Sequence, residues 1–146
     1  MIIKTAFILV SVLFFSAADA QILNPVKFTC NAKKTGSNQY ELHVKAAIEP
    51  KWHLYSIKNP AGGAQATVVS FTGTEAVGKL KEAGKLKTVF EKSFGVSQKF
   101  FETTVDFIQV VKIKPGTKKI NGSVEYMVCN DKQCLPPKEV AFEIKL

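Results

Sequence analysis

From Gln39 to Ile48 apolar and polar side chains alternate almost without a break. Tyr40, Leu42, Val44, Ala46 and Ile48 share one phase, and Gln39, Glu41, His43 and Lys45 share the other. A period of two is the signature of a half-buried strand, because successive side chains leave opposite faces of the backbone. The same pattern returns at the end of the chain, where Val140, Phe142, Ile144 and Leu146 alternate with Glu139, Glu143 and Lys145. Val105, Phe107, Val111 and Ile113 form a further phase, and Ile108 and Val110 load the opposite face, which predicts a central strand. Ile120, Val124, Tyr126 and Val128 predict another strand, Thr67 to Phe71 a short one, and Val26, Phe28 and Cys30 one near the start of the domain. Thr35-Gly36-Ser37-Asn38, Pro50, Asn59-Pro60 with Gly62-Gly63, and Pro115-Gly116 read as breaks between them. Asn121-Gly122 reads as a further break or as a bulge within a strand. Ala76 to Leu86 leaves room for a turn of helix, although Gly78 and Gly84 oppose a long one. Seven or eight short strands with frequent turns predict an all-β fold, an immunoglobulin-like β-sandwich of two packed sheets.

The N-terminus belongs to a different class of signal. Lys4 precedes an apolar run from Ala6 to Phe15, and Ala18 and Ala20 supply the small residues of a signal-peptidase site. The run is shorter than the roughly 20 apolar residues of a spanning helix. A cleaved signal peptide is therefore expected over 1–20, with a single domain over 21–146, soluble in the periplasm and not inserted in the membrane. The net charge is +8 and every basic residue is lysine. Such a balance suits nucleic-acid binding by composition alone, but export and the scattered placement of the lysines argue against that partner.

An oxidising compartment gives the three cysteines, Cys30, Cys129 and Cys134, a choice of roles. Cys30 shares the phase of Val26 and Phe28, which points it to the core as a small hydrophobe. Cys129 and Cys134 flank Asn130-Asp131-Lys132-Gln133, a polar turn followed by Leu135-Pro136-Pro137. The two sulfurs can meet across this loop. The bond is then either a staple for the last hairpin or a redox pair in which one thiolate attacks a partner and the other resolves the mixed disulfide. Cys129 ends the apolar run Tyr126-Met127-Val128 and is expected against the sheet, whereas Cys134 is expected nearer the surface. Two cysteines are too few for a closed zinc site, and neither His43 nor His53 is near them in sequence. No nucleophile with an attendant base marks out a hydrolase. In Trp52-His53-Leu54-Tyr55-Ser56 the tryptophan is expected in the core, Tyr55 near the disulfide loop, and His53 at the surface or in a supporting role. Phe90-Glu91-Lys92-Ser93-Phe94-Gly95 reads as a loop with aromatics in it.

Gly122-Ser123-Val124-Glu125-Tyr126-Met127-Val128-Cys129 through Cys134-Leu135-Pro136-Pro137 resembles the periplasmic N-terminal domain family of the thiol:disulfide interchange reductase DsbD, in its stand-alone Bacteroidetes-type form. The Trp52 to Ser56 block and Phe94-Gly95 support the resemblance, which extends from about Pro25 to Leu146. It implies an immunoglobulin-like domain whose Cys129–Cys134 pair passes electrons from a thioredoxin-like protein to a disulfide-bearing periplasmic client, with no cofactor. Cys134 matches the cysteine that meets the partner. Tyr55, Phe94 and Tyr126 are the implied surround of the pair. The chain departs from the best-known members by having four residues between the cysteines rather than five, and by carrying Glu91, Lys92 and Ser93 where their shielding acidic-acidic-phenylalanine cap stands. The alternative is a non-catalytic sandwich, a binding or structural module with a stapled hairpin.

Overall fold

A computed structural model describes residues 22–146; the expected signal peptide and its cleavage at Gln21 lie outside them. The described chain is all β. Its strands are β1 (Val26–Gly36), β2 (Gln39–Ile48), β3 (His53–Tyr55), β4 (Val68–Thr72), β5 (Thr74–Gly84), β6 (Lys87–Glu91), β7 (Val96–Phe101), β8 (Thr104–Ile113), β9 (Lys119–Tyr126), β10 (Val128–Cys129) and β11 (Lys138–Lys145). They form three antiparallel sheets, β1-β2-β8-β5, β11-β9-β4 and β10-β3-β7-β6.

The three sheets share one core. Val44 and Ala46 from β2, Val105 and Phe107 from β8, Leu54 from β3, Phe101 from β7, Val124 from β9 and Val128 from β10 pack in a single cluster. These are the inward phases of the alternating runs, and their removal from water is the main force holding the layers together. β8 lies between β2 and β5, in keeping with apolar side chains on both its faces. A smaller cluster of Leu42, Val111, Ile120 and Ile144 closes the far end.

The architecture differs from the sequence reading in three places. First, eleven strands replace seven or eight, and a third sheet appears because one long run is divided. β9 pairs with β11 and β4 up to Tyr126, and after Met127 the chain continues as β10 and pairs with β3 instead. Second, Ala76 to Leu86 is not helical. It falls largely in β5, whose pairing with β8 shifts register between Val77 and Lys81, and Gly78 sits in that irregularity at φ +76°. A glycine accepts this left-handed backbone without strain. Third, Asn121-Gly122 is neither a turn nor a bulge but the regularly paired middle of β9. A Cβ on Gly122 would lie 2.4 Å from the Ser70 carbonyl oxygen and 2.5 Å from the Phe142 ring, so the glycine is there for close approach.

Candidate functional site

β10 is the edge of its sheet, and the chain leaves it through a tight polar turn. The Asn130 side-chain oxygen accepts the backbone N–H groups of Lys132 (2.9 Å) and Gln133 (2.8 Å). Asn130 N–H donates to the Gln133 carbonyl at 2.8 Å, and Leu135 N–H returns to the Val128 carbonyl at 2.9 Å. Asparagine favours this local bonding, which imitates a backbone turn. The turn sets Cys134 opposite Cys129, and the two form a disulfide with Cα atoms 4.0 Å apart. The two sulfur-bearing residues are not equivalent. Cys129 is 2% exposed, whereas Cys134 is exposed to solvent. Val128 and Leu135, the sequence neighbours of the two cysteines, line an apolar groove with Pro25, Tyr126 and Pro136.

The register of the sheet determines what faces the bridge. Cys129 is directly opposite His53 on β3, and Val128 is opposite Leu54. Leu54 in turn meets Phe101 on β7, and Tyr55 meets Phe100. Since side chains alternate, Leu54, Val128 and Phe101 face the main core, and Cys129, His53, Tyr55 and Phe100 share the other face. There Tyr55, Ala64 and Cys129 form a separate buried cluster with Phe100 and Met127 against it. Ala64 is held by the segment after β3. The Asn59 amide donates to the Ala64 carbonyl (2.7 Å) and to Gln98 Oε1 (2.6 Å), and Asn59 Oδ1 accepts Lys99 N–H at 2.7 Å. Thr67 Oγ1 donates to the Tyr55 carbonyl at 2.5 Å.

His53 is the residue that sequence reasoning kept apart from the cysteines. Its ring stacks 4.5 Å from that of Phe100, and its Nε2 is 3.1 Å from the Tyr55 hydroxyl. Burial lowers its pKa below the ordinary histidine value, against the opposing pull of Glu102, Asp131 and Glu91. Asp131 belongs to the cysteine turn, Glu102 follows β7, and Glu91 ends β6, so carboxylates from three segments act on one imidazole. Burial, and next the charge of Glu91, raise the pKa of Tyr55. The signal available in the sequence was the two-residue spacing of His53 and Tyr55, which puts both on one face of a strand.

The other expected residues fall in different surroundings. Trp52 is buried in the main core. Tyr126 also packs in that core, its ring 5.1 Å from Phe28 in an edge arrangement, and lines the groove beside Leu135. Burial raises its pKa. Phe94 stands in the turn between β6 and β7, 44% exposed, where Phe94 and Gly95 N–H groups close on the Glu91 carbonyl. The Phe90 to Gly95 segment is thus a hairpin rather than an open loop, since Phe90 lies within β6. Cys30 is a free thiol on β1, half-buried between the two core clusters, and burial raises its pKa.

Residues 19–146 match the family model described as thiol:disulfide interchange protein DsbD, N-terminal. No curated protein sequence matches the chain. Among solved structures, the N-terminal periplasmic domain of ScsB from Proteus mirabilis aligns with a TM-score of 0.57 at 16% identity, over 82% of this chain and 45% of that one. The chain therefore spans less than half of that relative. The reduced N-terminal domain of DsbD from Neisseria meningitidis aligns with a TM-score of 0.54 at 15% identity, over 75% of this chain and 78% of that one. The complex of the DsbD and PilB N-terminal domains from the same organism aligns with a TM-score of 0.51 at 16% identity, over 70% of this chain and 73% of that one. At these identities the likeness establishes the fold, an immunoglobulin-like all-β domain.

Proposed function

The chain belongs to the family of DsbD N-terminal domains, and from that premise we propose that it shuttles electrons in the periplasm, through Cys129 and Cys134, between a thioredoxin-like donor and a disulfide-bearing client. The observation that carries this reading is the asymmetry of the bridge: Cys129 is held buried in an edge strand and Cys134 is presented to solvent. A thiolate must approach a disulfide sulfur directly, so the exposed sulfur is the one open to attack. Cys134 then carries the mixed disulfide and Cys129 resolves it. The groove that includes Leu135, the residue after Cys134, offers a partner an apolar surface. A DsbD N-terminal domain from Neisseria meningitidis is found in complex with the PilB N-terminal domain, which supports a protein partner here as well. The periplasmic description of the ScsB relative agrees with the location expected from the sequence. The proposal includes removal of residues 1–20 on export; an intact-mass measurement of the exported protein is expected to find Gln21 at its N-terminus, and a mass that retains Met1 would refute the cleavage. It also assigns Tyr55, which shares a buried cluster with Cys129, to the surround of the pair, with Phe94 and Tyr126 as the members that the family resemblance adds.

The test uses Cys129→Ala and Cys134→Ala. Each is incubated with co-exported thioredoxin-like proteins and separated without reductant. Cys129→Ala is expected to hold a stable mixed disulfide through Cys134, and Cys134→Ala little or none. Trapping only through Cys129 would reverse the roles. No adduct with either variant would favour a stapled, non-catalytic module.

A further inference from the structure

The resolving step poses a problem that the exposed sulfur does not. To release a partner from Cys134, the Cys129 thiol must lose its proton, and Cys129 is 2% exposed. Burial disfavours a thiolate, because a desolvated charge is costly. Solvent cannot readily take the proton from that position, so a neighbouring base is needed.

We propose that His53, the cross-strand neighbour of Cys129, is the general base that deprotonates Cys129 when it resolves the mixed disulfide on Cys134. This rests on the shuttle reading above. In an antiparallel pair, directly opposed residues have Cβ atoms roughly 5 Å apart and side chains on the same face. Among the described residues, that register makes His53 the side chain of β3 set against Cys129. The ring is held by Phe100 and by the Tyr55 hydroxyl on Nε2. Its neutral form is the one able to accept a proton, and burial favours that form at neutral pH. Glu102, Asp131 and Glu91 face it from three segments and stabilise the imidazolium once the proton has moved. Lys51 lines the same cleft as His53, Glu102 and Asp131, and Lys87 pairs with Glu102.

The chemistry balances. The imidazole takes the proton of Cys129, and the Cys129 thiolate attacks Cys134 Sγ of the mixed disulfide. A Cys129–Cys134 bond forms, the bond from Cys134 to the partner sulfur breaks, and the partner leaves as a thiolate with the electron pair. The two cysteines are oxidised, the partner is reduced, and the imidazolium returns its proton to the leaving thiolate or to water.

The experiment mixes the reduced protein, in a Cys30→Ala background, with 5,5′-dithiobis(2-nitrobenzoate) in a stopped-flow cell. The first release of thionitrobenzoate reports attack by Cys134, and the second reports resolution by Cys129. In the parent protein the second phase is expected to rise with pH through the imidazole pKa, below 6.5, and to level off near neutrality. In His53→Gln at pH 7 it is expected to slow on the order of a hundredfold. Its rate should then climb with pH without a plateau, while the first phase is unchanged. Asp131→Asn keeps the ring but removes a charge that raises its pKa, so the inflection is expected to move to lower pH. Circular dichroism confirms that each variant is folded. An unchanged second phase in His53→Gln, or an unmoved inflection in Asp131→Asn, would overturn the assignment of His53 alone. Absence of the first phase in the parent would overturn the shuttle reading, and His53 with it.

Discussion

Reducing the bridge separates a shuttle from a staple. The cysteines are 5 positions apart, and for so short a loop the chain-entropy relation assigns the crosslink about 2 kcal/mol. A domain of this size typically has roughly 5–15 kcal/mol of stability. Most of it here comes from the shared core of the three sheets, none of which depends on the sulfur bond. The turn also has support that involves neither sulfur, since the Asn130 side chain accepts the N–H groups of Lys132 and Gln133. The reduced domain is therefore expected to unfold cooperatively, with a midpoint lowered by roughly 5–10 °C. Thermal circular dichroism of the oxidised protein, the same protein under a phosphine reductant, and a Cys129→Ala/Cys134→Ala variant would measure this. Loss of the cooperative transition on reduction would refute the reasoning and establish the bridge as structural.

Three other outcomes are expected. Cys30, half-buried with its pKa raised by burial, should label slowly with a bulky maleimide in the native protein and quickly in denaturant; equal rates would remove it from the core. Gly122→Ala should cost about 1–3 kcal/mol in denaturant unfolding, because its Cβ meets the Ser70 carbonyl and the Phe142 ring; an unchanged midpoint would show that β4 and β11 can spread. His43 is also informative. Burial acts to lower its pKa, but hydrogen bonds and charge from Asp106 and then Glu41 outweigh it, and the net shift is upward from 6.5. The stability this pair confers is present in full below the unfolded value and is lost as pH rises through the folded one. The gap between parent and His43→Gln should thus shrink on going from about pH 6 to about pH 8, and a gap that widened would contradict the assignment.

What the sequence disclosed follows from how each element buries its side chains. β2, β8 and β11 have one face in the core, so their alternation is plain in the letters. The cysteine turn is likewise local, with its asparagine and prolines adjacent to the sulfurs. β5 and β6 were harder because both lie largely exposed, and no apolar period announces a strand that buries neither face. β3 has only three residues, too few for a period. Its partnership with β10 joins segments far apart in the chain, which is why the link from His53 to Cys129 is visible only in the register. The division of β9 from β10 at Met127 has the same character, since nothing in an unbroken run of strand-forming residues says that its partners change.

The short turn at Asn130 also bears on how the protein acquires its bridge after export. Three cysteines permit three pairings, and two of them join Cys30 to a residue roughly 100 positions away. With closure entropy growing as the logarithm of loop length, the nearest pair meets about two orders of magnitude more often in an unfolded chain. The competition among pairings is thus weighted toward Cys129–Cys134 even in a chain where β1 has no neighbours. An oxidant acting on the unfolded chain therefore meets the Cys129–Cys134 pair most often, and packing of β1 against both clusters then half-buries Cys30. The spacing of the thiols thus favours the pairing seen in the fold over both alternatives.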